Sequence, residues 1–90
     1  EESAQIGLVD KVVPHDTLMD ETMALANRIA EGPSITLELT KKAVYHGLNV
    51  DLITQCDYEE NLGAIVHNTE DNTEGRLAFR EKRKPNFQGK

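Results

Sequence analysis

Apolar residues recur at helical spacing through most of the chain, and the pattern breaks at glycines and prolines. Leu18, Thr22, Leu25 and Ile29 stand at i, i+4, i+7 and i+11, with Ala26 and Ala30 beside them. That is one face of an amphipathic helix. Asp16 or Thr17 supplies its N-cap, and Asp20 and Glu21 sit in its first turns, where negative charge suits the helix dipole. Gly32-Pro33 ends this helix and starts the next. A second helix is predicted over residues 33–47, with Ile35, Leu39 and Ala43 as its stripe. A third is predicted over residues 51–68, with Asp51 as its N-cap. Leu52, Cys56, Glu59, Gly63 and Val66 form one row of it, and Ile53, Leu62 and Ile65 lie on adjacent rows. So wide an apolar arc packs on more than one side. Residues 69–73 read as a polar link and residues 74–82 as a short last helix carrying Ala78 and Phe79. Pro85 then stops regular structure and leaves an extended tail.

The opening segment reads differently. Residues 1–6 look like the last turns of a helix, closed by Gly7 as a helix-ending glycine. Leu8-Val9-Asp10-Lys11-Val12-Val13, stopped by Pro14, reads as one short strand. Nothing else in the chain reads as a strand, so its backbone groups have no ladder partner here. The predicted fold class is therefore mainly α: three to four packed helices with one short N-terminal strand.

Composition narrows the classes. Ninety residues, 29% charged and 38% hydrophobic, suit one small globular domain rather than a disordered chain. The apolar runs are too short to span a membrane, and no secretory signal opens the chain. Glu1 rather than Met stands first, which suits a cut end. The single cysteine, Cys56, excludes a disulfide framework and fits a reducing compartment. It reads as a small buried hydrophobe rather than a reactive thiol. The net charge of −6 argues against nucleic acid as partner. The charge is unevenly spread: the last 15 residues carry +5 and the first 75 carry −11. A basic tail on an acidic body meets an anion, or the acidic body of another copy.

Few residues offer chemistry. His15, His46 and His67 are isolated, and no Cys or His cluster has metal-ligand spacing, so no metal is assigned. Glu59 and Glu60 are adjacent, about 100° apart on a helix, and do not converge on one atom. No glycine-rich phosphate loop and no nucleophile elbow is present. The tail segment holds the one candidate. Phe79 and Lys82 are i, i+3 on the last helix. A ring can pack on a nucleotide base while an adjacent ammonium meets a phosphate. Against this stands a plainer possibility, a core phenylalanine with solvated charges at a helix end.

The ordered motifs carry a resemblance. Ile6-Gly7-Leu8-Val9-Asp10-Lys11-Val12-Val13-Pro14 is similar to the I-G-L-V-x-x-V-V-P stretch of the crotonase superfamily, the enoyl-CoA hydratases and isomerases. The run from Ala24 through Gly32-Pro33 resembles the helix and break that follow it. Lys41-Lys42-Ala43 resembles the next helix. Glu70-Asp71-Asn72-Thr73-Glu74-Gly75, then Ala78-Phe79-Arg80-Glu81-Lys82-Arg83-Lys84-Pro85 and Phe87, resembles the family's ending. The match covers essentially the whole chain, in order. Ser3 stands where alanine is common, a minor departure.

The resemblance implies a role as well as a fold. Residues 1–14 would be the end of a helix plus a strand continuing from a missing N-terminal domain. Residues 15–90 would be a helical C-terminal oligomerisation domain with a basic tail. Family subunits form trimers, often paired into hexamers. Their acyl-CoA substrate is activated by two backbone N–H groups, and two glutamates handle water and proton in hydratases. Those residues lie in the amino-terminal part, so no catalytic residue is assigned here and the 90-residue segment alone is expected to be inactive. Phe79 and Lys82 match the family positions that reach a neighbouring subunit's CoA, at its adenine and 3′-phosphate. Coenzyme A would enter as part of the substrate, with no prosthetic group. The expected setting is the cytoplasm, or the mitochondrial matrix in a eukaryote, with no membrane contact. The rival from another class is a non-catalytic helical module for oligomerisation or partner binding.

Overall fold

Punctuation residues set most element boundaries. The computed structural model describes residues 1–90 throughout. Its elements are α1 (Glu2–Gln5), a 3-10 turn (His15–Thr17), α2 (Leu18–Ala30), α3 (Ser34–Gly47), α4 (Leu52–His67) and α5 (Glu70–Glu81). The mainly helical class agrees with the sequence reading. The four predicted helices are α2 to α5, and α1 is the helix end expected before Gly7. Two compact units divide the chain, Glu1–Ala30 and Glu31–Lys90.

In the first unit, α1 closes through a paired C-terminal motif. The Gly7 N–H donates to Ala4 O at 3.2 Å and the Leu8 N–H to Ser3 O at 2.8 Å. Gly7 takes φ +74, which its missing Cβ permits. The strand predicted over residues 8–13 does not form. A strand needs a second strand for its ladder, and this chain supplies none. Leu8 and Val9 instead donate to the Ser3 carbonyl, and Leu8, Val9 and Val12 stay exposed. Thr17 accepts no capping bond from α2; its hydroxyl donates back to Pro14 O at 3.1 Å. The apolar face of α2 is present, but Leu18, Leu25 and Ile29 are all exposed.

The second unit is better tied together. Asp51 caps α4 as predicted, accepting from the Ile53 and Thr54 N–H groups at 3.0 and 3.1 Å. Helices α3 and α4 pack on each other. The His46 ring stacks on Tyr58 with centroids 4.0 Å apart, and its Nδ1 lies 2.9 Å from Gln55 Oε1. Gln55 Nε2 also donates to Ala43 O at 3.0 Å, so one side chain sews the two helices together. The wide apolar arc of α4 is real, and Leu52, Ile53 and Ile65 are exposed on it. Cys56 is exposed too, where a buried residue was expected. Leu52, on the same row of α4, is exposed as well.

The last helix starts earlier than predicted. Residues 69–73 are not a link: Thr69 is the N-cap, its hydroxyl accepting from the Asn72 N–H at 3.0 Å. The run Glu70-Asp71-Asn72 carries no apolar periodicity, which hid the first turn. Acids in that turn favour it all the same. The buried residues of the chain cluster here: Ala78 at 1% exposed, Asp71 at 2% and Thr69 at 9%. Ala78 is the one buried apolar residue, so apolar burial within this chain contributes little to its stability.

Candidate functional site

The end of α5 gathers the candidate residues. Phe79 lies within α5 and is 88% exposed, so it is not a core phenylalanine in this chain. Lys82 lies one residue beyond the helix, at φ 55 and ψ 39. The helical i, i+3 geometry therefore stops at Glu81, and a left-handed turn aims the lysine instead. The two residues are still neighbours, since the Lys82 N–H donates to Phe79 O at 3.3 Å. The Arg83 N–H donates to Ala78 O at 3.0 Å, which completes the paired closing motif seen at α1. Lysine here occupies the place that glycine holds at residue 7.

Two of the neighbouring cations, Arg83 and Lys84, are consumed within the chain, while Arg76 and Arg80 make no ion pair. Arg83 grips Glu74 at two points, Nη1 to Oε1 at 2.6 Å and Nη2 to Oε2 at 2.8 Å. Its Nε also donates to Glu81 Oε2 at 2.7 Å. Lys84 Nζ reaches Glu31 at 2.7 Å. Part of the basic tail thus meets acids of its own chain rather than an external anion. Lys82 makes no ion pair. An unpaired ammonium beside an exposed ring can take a nucleotide's phosphate and base.

Glu74 organises the tail as well. Beyond Arg83 it accepts the Asn86 N–H at 2.8 Å. The Arg83 guanidinium first, then the Asn86 N–H, hold its carboxyl down from 4.5 to about 2. Arg83 is pushed upward by its bonds to Glu74 and Glu81. One turn earlier, the Asp71 carboxylate accepts the Gln88 and Gly89 N–H groups at 2.7 and 2.8 Å. The Asp71 N–H in turn donates to Lys90 O at 3.1 Å. The Phe87 ring lies over Gly75, 3.5 Å from where a Cβ would stand. Phe79, Phe87, Pro33, Thr36 and Val66 line an open groove of about 370 Å³ beside this strap. The sequence reading missed Asp71 and Glu74. Their i, i+3 spacing on one helix face was the available signal.

Other candidates stay apart. Glu59 accepts from Gln55 Nε2 at 2.6 Å on its own helix and does not converge with Glu60. No group of three or more His, Cys, Asp or Glu side chains is placed to hold a metal ion. No helix is long and apolar enough to cross a membrane.

Comparison with known proteins finds one family along the whole chain. The family described as enoyl-CoA hydratase/isomerase matches residues 1–90. The chain is similar to a short-chain-enoyl-CoA hydratase of Clostridioides difficile, 36% identical over 80 residues, covering 89% of this chain and 52% of that protein. It is also similar to a crotonyl-CoA hydratase of Syntrophomonas wolfei, 36% identical over 87 residues, covering 97% of this chain and 34% of that protein. Among solved structures it resembles the enoyl-CoA hydratase subunit I of Geobacillus kaustophilus, with TM-score 0.92 and 44% identity, covering 99% of this chain and 35% of that one. The chain spans about half the length of the first relative and about a third of the other two. The matched part is their carboxy-terminal region.

Proposed function

This chain belongs to the enoyl-CoA hydratase/isomerase family, and from that membership we propose that it is the assembly region and CoA edge of an enzyme acting on acyl-CoA thioesters. The observation that carries the reading is the pairing pattern at the end of α5. Arg83 and Lys84 are tied to acids, while Lys82, like Arg76 and Arg80, makes no ion pair, and its backbone N–H joins it to Phe79, whose ring is exposed.

The division of labour follows from chemistry. Phe79 packs on the adenine of CoA and Lys82 meets its 3′-phosphate. Neither group touches the thioester, so both contribute binding rather than bond making. The reacting end needs donors for the thioester oxyanion and carboxylates for water and proton. Those belong to the part of the relatives that this chain does not match, which leaves the 90-residue segment inactive by itself. The reaction is hydration of an enoyl-CoA or shift of its double bond. The CoA is that of a neighbouring subunit in a trimer or hexamer. A single cysteine suits the reducing setting of the cytoplasm or mitochondrial matrix.

The test is steady-state kinetics on the protein as its own gene encodes it. Lys82→Ala is expected to raise KM for acyl-CoA about tenfold or more, the worth of one charge-assisted hydrogen bond, and to spare kcat. An unchanged KM sinks the assignment.

A second reading, a non-catalytic helical module for assembly or partner binding, is favoured by one observation. The apolar faces of α2 and α4 lie exposed and Ala78 alone is buried among apolar residues. Acyl-CoA turnover by the gene's own product rules it out; a product that self-associates without turnover establishes it.

A further inference from the structure

We propose that Glu74 is a positioning residue for CoA: it holds Lys82 in the left-handed turn that presents its ammonium, and so sets discrimination for the 3′-phosphate. The proposal rests on the assignment of Lys82 to that phosphate. Lys82 is the one non-glycine residue in the chain at positive φ. An L-residue avoids that region because its Cβ crowds the following carbonyl. At α1 the same closing motif uses Gly7, which has no such cost. Something must therefore over-determine the turn at Lys82.

Arg83 and Glu74 supply that constraint. Residue 81 precedes the turn and residue 83 follows it, and the Arg83 Nε donates to Glu81 across it at 2.7 Å. The same guanidinium is locked by two bonds to Glu74, about two turns back from the end of α5. Glu74 also takes the Asn86 N–H, so the chain after the turn is fixed as well. The carboxylate is 23% exposed, sheltered enough to hold its partners in one geometry. A turn fixed before CoA arrives spends no binding energy on ordering Lys82. Without Glu74 the backbone at 82 is free to leave the left-handed region and carry the ammonium away.

The test is calorimetric titration of the gene-encoded protein with CoA and with 3′-dephospho-CoA. The ratio of the two Kd values isolates the phosphate contact. The parent is expected to favour CoA about tenfold, the worth of one charge-assisted contact. Lys82→Ala should bring the ratio to about one. Glu74→Gln should bring it down to within a factor of about three, and should add nothing in the Lys82→Ala background. Arg83→Lys, which keeps the cation but gives up the two-point grip, is the second variant should Glu74→Gln not fold, and the same fall in ratio is expected. If Lys82→Ala lowers the ratio while both other variants keep the parental value, Glu74 has no positioning role. A parent that does not distinguish the two ligands, with Lys82→Ala unchanged, overturns the CoA assignment itself and this proposal with it.

Discussion

The Gln88 backbone N–H donates to the Asp71 carboxylate at 2.7 Å, joining two residues 17 positions apart in the chain. With the Gly89 N–H on the other oxygen, this bond returns the tail to the first turn of α5. Asp71 is 2% exposed, so both of its oxygens depend on these donors rather than on water. The tail is in this way part of the second unit and not a loose basic arm.

Asp71→Ala should release it. Two tail N–H groups lose their acceptor, and because Gln88 and Gly89 are exposed and can turn to water, the loss is about 1 kcal/mol per bond. Urea unfolding should show that loss, with faster amide exchange at Gln88 and Gly89. Exchange that stays slow at both amides would count against the bond pattern.

Acid should loosen the other end of the strap. The Glu74 carboxyl is lowered from 4.5 to about 2 when folded, chiefly by Arg83. A depressed carboxylate stabilises the folded form fully above its unfolded value, and that stabilisation is lost as pH falls through the folded value. The window therefore runs from about 4.5 down to about 2. Protection of the Asn86 amide, taken relative to its intrinsic exchange rate at each pH, should fall across it, and in Glu74→Gln it should already be low at neutral pH. A flat profile in the parent contradicts the pairing.

Thr69→Ala should shorten α5 from its start. The hydroxyl accepts from the Asn72 N–H and donates to Val66 O at 2.8 Å, which joins α4 to α5. Loss of such a cap costs about 1–2 kcal/mol. Asn72 should exchange faster while Asp51-capped α4 keeps its protection.

Lys82→Gly should separate stability from binding. Glycine relieves the left-handed strain, a gain of about 1 kcal/mol. The same change removes the ammonium proposed to meet the phosphate. The melting temperature should rise and the Kd for CoA should rise with it, a trade expected where a strained residue serves a site. A lower melting temperature would show that the turn carries no strain at residue 82.

Part of this architecture could be read from residue order, because its causes are local. The face of α2 follows from spacing, the stop at Gly7 from a missing Cβ, and the start of α4 from the Asp51 carboxylate two and three residues before the amides it caps. The order of short motifs from Ile6 to Phe87 likewise sufficed for the family. Readings that failed depended on partners. Residues 8–13 have strand composition but no second strand, and Cys56 has a buried residue's character but lies exposed.

The candidate site divides along the same line. The i, i+3 spacing of a ring and an ammonium pointed to Phe79 and Lys82, and the resemblance to the family's ending gave the pair its expected role. That Lys82 stands free while Arg83 and Lys84 are neutralised was settled by the fold, which sets Glu74 against Arg83 and Glu31 against Lys84. The left-handed turn, the buried Asp71 and the returning tail belong to the fold as well. Each depends on a backbone N–H or a charge finding its acceptor many residues away, and every residue but proline carries the same N–H. Sequence can therefore name the groups able to act, while distance in space selects which of them remain unpaired.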